Sequence, residues 1–278
     1  MSSLLLSGLL ALAAFATGVV GALTGLGGGI ILVPMLVLLF DVNLRNAAGA
    51  SLVAVIATSS GAAAAYLSEG YTNLRIGMFL QLPSIVGGIV GALMVVFVPA
   101  KPLLITFGAV LLYSSYRSLR TEKESELDVP SDPLAVRLKM ESSYPTLDGW
   151  KPYKVHRVFP GFLLMSVAGI LSGLLGIGSG AINVLAMDQV MRLPHKVSTT
   201  TSNFMIGITA AASAGVYFDR GFIEPALTMP VMLGVFSGAI VGARILMLVR
   251  VRPLKIFFGV LVLLMALEMV YKGLMQRE

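Results

Sequence analysis

Two short clusters of helix-breaking residues concentrate the chemical potential of this chain. Gly25, Gly27, Gly28 and Gly29 follow Thr24 inside an otherwise apolar run, and Gly176, Gly178, Ser179 and Gly180 interrupt a second run at an offset of 151 residues. Each glycine in a helix interior costs about 1 kcal/mol against alanine. Four in five positions therefore mark a place where the helix stops and restarts. A restarting helix presents unpaired N–H groups and the positive end of its dipole. Glycine lets that backbone approach a ligand closely. The combination suits a small anion. Hydroxyl and amide side chains add donors: Thr24, Ser51 and Thr58 near the first cluster, and Ser172, Ser179, Asn183, Ser202, Asn203 and Thr209 near the second. The candidate binding set is Thr24, Gly25, Gly27, Gly28, Gly29, Ser51, Gly176, Gly178, Ser179, Gly180, Ser202, Asn203 and Thr209. The run from Ser198 to Asn203 opens a helix, so its first residues are expected to serve as caps.

Other chemistries fail on residue type. There is no cysteine, which removes disulfides, thiolate metal sites and cysteine nucleophiles. No Lys-Ser/Thr pair follows either glycine cluster, so neither is a P-loop. Ser179 resembles a serine nucleophile, but His195 lies in a polar link, and the first cluster has Gly28 at the matching position. No Asp or Glu falls at the centre of an apolar segment, so no carboxylate proton relay is evident. The reading is a non-enzyme with no metal and no cofactor.

The elements that hold these residues are membrane helices. Hydrophobic residues make up 56% of the 278, charged residues only 12%, and the mean hydropathy is +0.89. A soluble domain carries about 25% charged residues. The net charge of +6 belongs to basic residues flanking apolar segments, not to a nucleic-acid surface. Leu4 to Phe40 is apolar throughout; as one helix it would be about 56 Å long, far beyond a hydrocarbon core of ~30 Å. The glycines divide it near Leu23 and Ile30, with Pro34 in the first turns of the second piece. The N-terminus has an apolar core but no positive n-region, and reads as a first membrane helix. Spans follow over Ala47–Leu67, Ile76–Val98 and Lys101–Tyr116. After a polar stretch come Phe159–Met191 with the second break, Ser198–Phe218, Ala226–Val249 and Leu254–Tyr271. The Gly87/Gly91 and Gly238/Gly242 pairs read as close-packing motifs. Gln81 and Arg244 are polar inside spans, Arg244 near enough to an end to snorkel. Arg117–Arg157 reads as a solvated link with a short amphipathic helix around Leu134–Met140 and an interfacial anchor at Trp150.

The second half repeats the first without a gap. Gly27/Gly178, Ser51/Ser202, Thr58/Thr209, Tyr66/Tyr217, Gly70/Gly221, Gly87/Gly238, Gly91/Gly242, Pro102/Pro253 and Gly108/Gly259 all keep the offset of 151. This is a duplication. Residues 1–118 form one repeat, 119–157 a cytoplasmic linker and 158–278 the other. If each break reverses the chain, Arg192, Lys196, Arg250, Arg252 and Lys255 share the linker's side, as the positive-inside rule prefers. The expected fold is an all-α polytopic membrane protein of two inverted repeats, each a glycine-broken helix or re-entrant hairpin plus three spanning helices. The breaks should then line a cavity near the midplane.

These residues resemble the TauE/SafE family of sulfite-exporter-like permeases. Gly21, Gly25, Gly27, Gly28, Gly29 and Pro34 fit its motif G-x-x-x-G-x-G-G-G-x-x-x-x-P in the first half. The second half keeps Gly176, Gly178 and Gly180, with Ser172, Ser179 and Leu185 replacing two glycines and the proline. Ala47–Ser51 also looks like the family. The resemblance implies export or movement of small sulfur-containing anions, such as sulfite, sulfoacetate or other organosulfonates, across the cytoplasmic membrane; the inverted repeats with broken helices imply alternating access. The expected partners are a small anionic substrate, membrane lipid and a second copy in a homodimer, with no nucleic acid. Two other classes share the same features: a non-transporting membrane scaffold that works through its linker, and a channel for another small anion.

Overall fold

The computed structural model describes residues 3–24, 28–68, 70–119, 131–146, 149–246 and 251–275. In chain order the helices are α1 (Ser3–Thr24), α2 (Gly29–Leu39), α3 (Leu44–Ser68), α4 (Leu74–Met94), α5 (Ala100–Leu119), α6 (Pro133–Arg137), α7 (Val158–Leu175), α8 (Gly180–Leu185), α9 (His195–Asp219), α10 (Pro225–Leu246) and α11 (Val251–Met275). A π-helical turn, Ala186–Val190, continues α8. An antiparallel hairpin, β1 (Ser142–Thr146) and β2 (Gly149–Tyr153), lies between α6 and α7. The predominantly helical membrane fold is as expected, and the small hairpin within the polar stretch is an addition to it. Among the described residues, four helical stretches are long and apolar enough to cross a membrane: Leu5–Ala22, Leu74–Met94, Val158–Leu175 and Pro225–Gly242. Their outer faces carry Leu12, Met78, Phe159 and Met229, all more than half exposed, as a lipid-facing surface requires.

The duplication extends from residue types to geometry. α2 and α3 begin at Gly29 and Leu44; α8 and α9 begin at Gly180 and His195, again 151 residues on. The left-handed residues match too: Asp41 with Arg192, and Gly70 with Gly221. So do the close contacts. Gly87 and Gly91 press on the Ser166 and Ile170 carbonyls of α7, while Gly238 and Gly242 press on the Phe15 and Val19 carbonyls of α1. These are the small-residue contacts by which membrane helices approach each other. Helix α1 therefore packs beside α10, and α4 beside α7, each pair running parallel. Equivalent helices meet in opposite directions. Ser59 on α3 packs on Gly207 on α9, and Gly49, nearer the start of α3, packs on Phe222 just past the end of α9. On α5 and α11, Leu104 packs on Gly273, and Ser115 donates to the Gly259 carbonyl at 2.7 Å.

The polar stretch corrects one expectation. Ser131–Arg157 is not simply solvated; it packs on the ends of α4, α7 and α9. Met140, Val155 and Ala135 join Ile76, Met187, Met191, Leu193 and Met205 in a second core. Asn73, which caps α4 by accepting from the Ile76 N–H, donates to the Met140 carbonyl at 2.8 Å and to the Tyr153 hydroxyl at 2.6 Å. Arg75 reaches the Lys139 carbonyl, and the His156 N–H donates to Met191. Polar composition concealed this docking because few apolar side chains carry its core and most of its hydrogen bonds to the helices use backbone groups. The helix expected around Leu134–Met140 forms over Pro133–Arg137, with Asp132 as its cap. Trp150 is 65% exposed, its ring edge over Gly70. Burial pushes the Tyr153 phenol up, against the opposing effect of its bond to Asn73.

Candidate functional site

The two breaks meet where α3 and α9 cross. In the first, Gly28 caps α2, and its carbonyl accepts from the Ile31 and Leu32 N–H groups. A Cβ on Gly29 would stand 2.7 Å from the Ile177 carbonyl oxygen of the other break, and 2.9 Å from both Ser51 Oγ and Val55 Cγ2. In the second, α7 ends at Gly176, whose N–H donates to the Ser172 carbonyl. Gly176 and Gly178 have φ of 69° and 64°, the left-handed region where a side chain is strained. Gly176 also lies against Ala48 on α3, where a Cβ would meet Cα at 2.5 Å. Gly178 fits between Val55 on α3 and Ile206 on α9. Each break is thus seated against the helices of both halves. Gly25 and Gly27 lie outside the described residues, as does the side chain of Thr24.

Around this junction, buried polar groups exceed the partners the protein supplies. Ser51 Oγ, Ser172 Oγ, Ser179 Oγ and both amide atoms of Asn183 have no hydrogen-bond partner among the described residues. All four residues are 0–1% exposed. A buried polar group without a partner costs about 1–3 kcal/mol, and native proteins leave few of them. No charged side chain is among them. The set presents neutral hydroxyl and amide groups at a backbone junction, an arrangement that can bind a small polar or anionic solute through hydrogen bonds.

Other expected residues are placed differently. Ser202 Oγ donates to the Gly180 carbonyl at 3.1 Å, tying α9 to the second break. Its counterpart Ser51 makes no such bond. Thr209 donates to the Met205 carbonyl and accepts from Gln81 Nε2 at 2.8 Å. Thr58 bonds the Val55 carbonyl of its own helix. Asn203 is buried on α9. The expectation that the Ser198 run caps its helix is corrected: α9 starts at His195, Ser198 Oγ is buried without a partner, and Thr200 bonds back to the Lys196 and Val197 carbonyls. Helix α9 begins one turn earlier than the polar run suggests, directly after Pro194, which stands at its N-cap in a non-helical conformation. Among the described residues no base stands at the Ser179 hydroxyl; His195 pairs instead with Asp188 at 3.2 Å. Gln81 stands out in the sequence only as a polar residue inside a span. Its bond across to Thr209, with Oε1 left unpaired, makes it part of the polar interior. The Arg244 side chain lies outside the described residues.

Comparison with known proteins agrees with this architecture. The model of the sulfite exporter TauE/SafE family matches residues 10–269. The probable membrane transporter protein YunE of Bacillus subtilis is 25% identical over 265 residues, covering 92% of this chain and 94% of that protein. The probable membrane transporter protein YdhB of the same organism is 28% identical over 240 residues, covering 85% of this chain and 89% of that one. No solved structure matches. A match through both breaks, all four outer helices and the docked linker makes the chain a member of the sulfite exporter TauE/SafE family, and hence a membrane transporter.

Proposed function

We propose that this protein is a permease of the cytoplasmic membrane that moves small sulfur-containing anions, sulfite or an organosulfonate such as sulfoacetate, in the direction of export. One observation carries the reading. Two glycine breaks converge between α3 and α9 beside buried polar side chains that lack partners. Backbone of this kind survives at membrane depth only where protein buries it or a cavity receives it. Gly28 and Gly29 open α2, a helix of 11 residues whose N-terminal dipole favours negative charge. The sulfur-containing substrate comes from the family name alone.

In this reading residues 1–118 and 158–278 are inverted repeats, joined by a cytoplasmic linker at 119–157. The opposed directions of α3 with α9 and of α5 with α11 support that arrangement. Helices α3, α5, α9 and α11, each of 20 or 25 residues, would also cross the bilayer. Alternating access would then be a rocking of one repeat against the other about the junction. Thr24, Gly25, Gly27, Gly28, Gly29, Ser51, Gly176, Gly178, Ser179, Gly180, Ser202, Asn203 and Thr209 form the substrate site, in a chain surrounded by lipid and paired as a homodimer.

The test is flux of labelled sulfite and sulfoacetate in proteoliposomes holding the purified full chain. Saturable, anion-dependent flux that is abolished in Gly28→Leu supports the reading. No anion-dependent flux with folded protein overturns it, and fast non-saturating flux identifies a channel instead.

A further inference from the structure

The second break holds more hydrogen-bonding capacity than the first, and it holds both signs of it. Asn183 is fully buried with Oδ1 and Nδ2 unpaired. Ser179 lies one turn earlier on the same face, its carbonyl accepting from the Asn183 N–H at 2.8 Å. Ser172 stands just before the break. At the matching positions the first half has Leu32, Gly28 and Gly21, which bring no side-chain hydrogen bond. A serine hydroxyl serves an anion as a donor, and so does an amide nitrogen. An amide oxygen accepts only. A further buried acceptor lies apart from the break, where Gln81 on α4 meets Thr209 on α9. The Thr209 proton goes to the Met205 carbonyl, so the Thr209 oxygen must take its bond from Gln81 Nε2, which leaves Gln81 Oε1 as the unpaired atom.

An anion made only of acceptor oxygens would satisfy the donors and be repelled by Asn183 Oδ1. We infer that the second break selects an anion that also carries an O–H donor, and that Asn183 is its specificity-determining residue, with Nδ2 donating to an anionic oxygen and Oδ1 accepting the ligand's proton. This rests on the reading of the junction as an anion site. The O–H has two chemical sources: a proton on the oxyanion itself, as in hydrogen sulfite, or a hydroxyl on an organic sulfonate. In the first case the substrate brings its own proton to a site that has no carboxylate among its unpaired groups.

Binding to the full chain in lipid nanodiscs tests this by titration calorimetry. Ethanesulfonate and 2-hydroxyethanesulfonate stay ionised across the working pH range and differ by one hydroxyl. Sulfite is measured in parallel from mildly acidic to mildly alkaline pH. A hydroxyl source gives 2-hydroxyethanesulfonate at least about a tenfold advantage. An oxyanion source gives a sulfite affinity that falls with the monoprotonated fraction as pH rises, while ethanesulfonate stays flat. Either preference should collapse to within about twofold in Asn183→Leu. That substitution also removes unpaired polar atoms for an apolar group of similar size, so the ligand-free variant should melt at or above the wild-type Tm. Equal sulfonate affinities with pH-independent sulfite binding overturn the inference. So does a preference that survives Asn183→Leu, or a lowered ligand-free Tm, which would mark Asn183 as a structural hydrogen-bonding residue. If folded protein binds no anion at all, the reading of the junction falls too; binding without discrimination removes only the role of Asn183.

Discussion

Gly29→Ala is the sharpest perturbation of the junction, because one added carbon meets three atoms of other segments. It would lie 2.7 Å from the Ile177 oxygen and 2.9 Å from Ser51 Oγ and Val55 Cγ2, where ordinary contact begins near 3.4 Å. Ser51 and Val55 can turn their side chains. The Ile177 oxygen is backbone, and must retreat by about 0.7 Å, the difference between 3.4 and 2.7 Å. It is flanked by Gly176, already tight against Ala48, and by Gly178, tight against Ile206. The second break must therefore shift as a unit. Overpacking of this kind costs about 1–3 kcal/mol, and the gain in helix propensity returns at most ~1 kcal/mol. With the whole gain returned, the net loss of stability is up to about 2 kcal/mol. A displacement approaching 1 Å at a binding constellation reduces its rate by roughly ten- to a hundredfold. The control is Gly215→Ala on α9, where an added carbon meets nothing within 4 Å. That variant should gain up to ~1 kcal/mol and transport within about twofold of wild type. Proteoliposome flux and thermal unfolding of both variants decide the matter. If Gly29→Ala transports as well as Gly215→Ala, the junction of the breaks is not the transport site.

Two further predictions concern the ends of the bundle. Asn73→Ala removes the bonds to Met140 and Tyr153 along with the α4 cap. It should weaken docking of Ser131–Arg157 by about 2–3 kcal/mol, read as faster proteolysis within that stretch and unchanged helix content; unaltered cleavage would show that docking does not depend on Asn73. At the opposite end, the Lys272 ammonium, 2.8 Å from Asp41, holds that carboxyl below its ordinary value of 3.8 through a hydrogen bond and charge attraction. A lowered folded-state value means the pair's contribution is present above the ordinary carboxylate range and is lost as pH falls through the lower folded value. Lys272→Met should return the Asp41 titration, followed by NMR, toward 3.8, and an unmoved titration would refute the pairing.

Much of this protein is written locally. Glycine clusters in apolar runs mark where helices break, since the penalty is paid within a turn and needs no neighbour. A constant offset of 151 residues carries the helix starts at Gly29 and Leu44 onto those at Gly180 and His195. Which helix lies against which is not local. Helices apolar on nearly every face have no amphipathic stripe to point inward. The pairing of α1 with α10 and of α4 with α7 follows from where Gly87, Gly91, Gly238 and Gly242 meet a carbonyl on another helix. The docked linker was hidden for a related reason: it attaches through the Met140 and Lys139 carbonyls and the His156 N–H, backbone groups that every residue has. Ser51 and Ser202 show the boundary most clearly. They are the same residue at the same register, yet Ser202 donates to Gly180 while Ser51 stands buried and unpaired beside Gly29. Residue type and spacing determined that hydroxyls would stand at both breaks. Only the tertiary structure decided which of them is bonded within the protein, because a hydrogen bond needs donor and acceptor within about 3.2 Å and well aligned, and that is set by how each half packs.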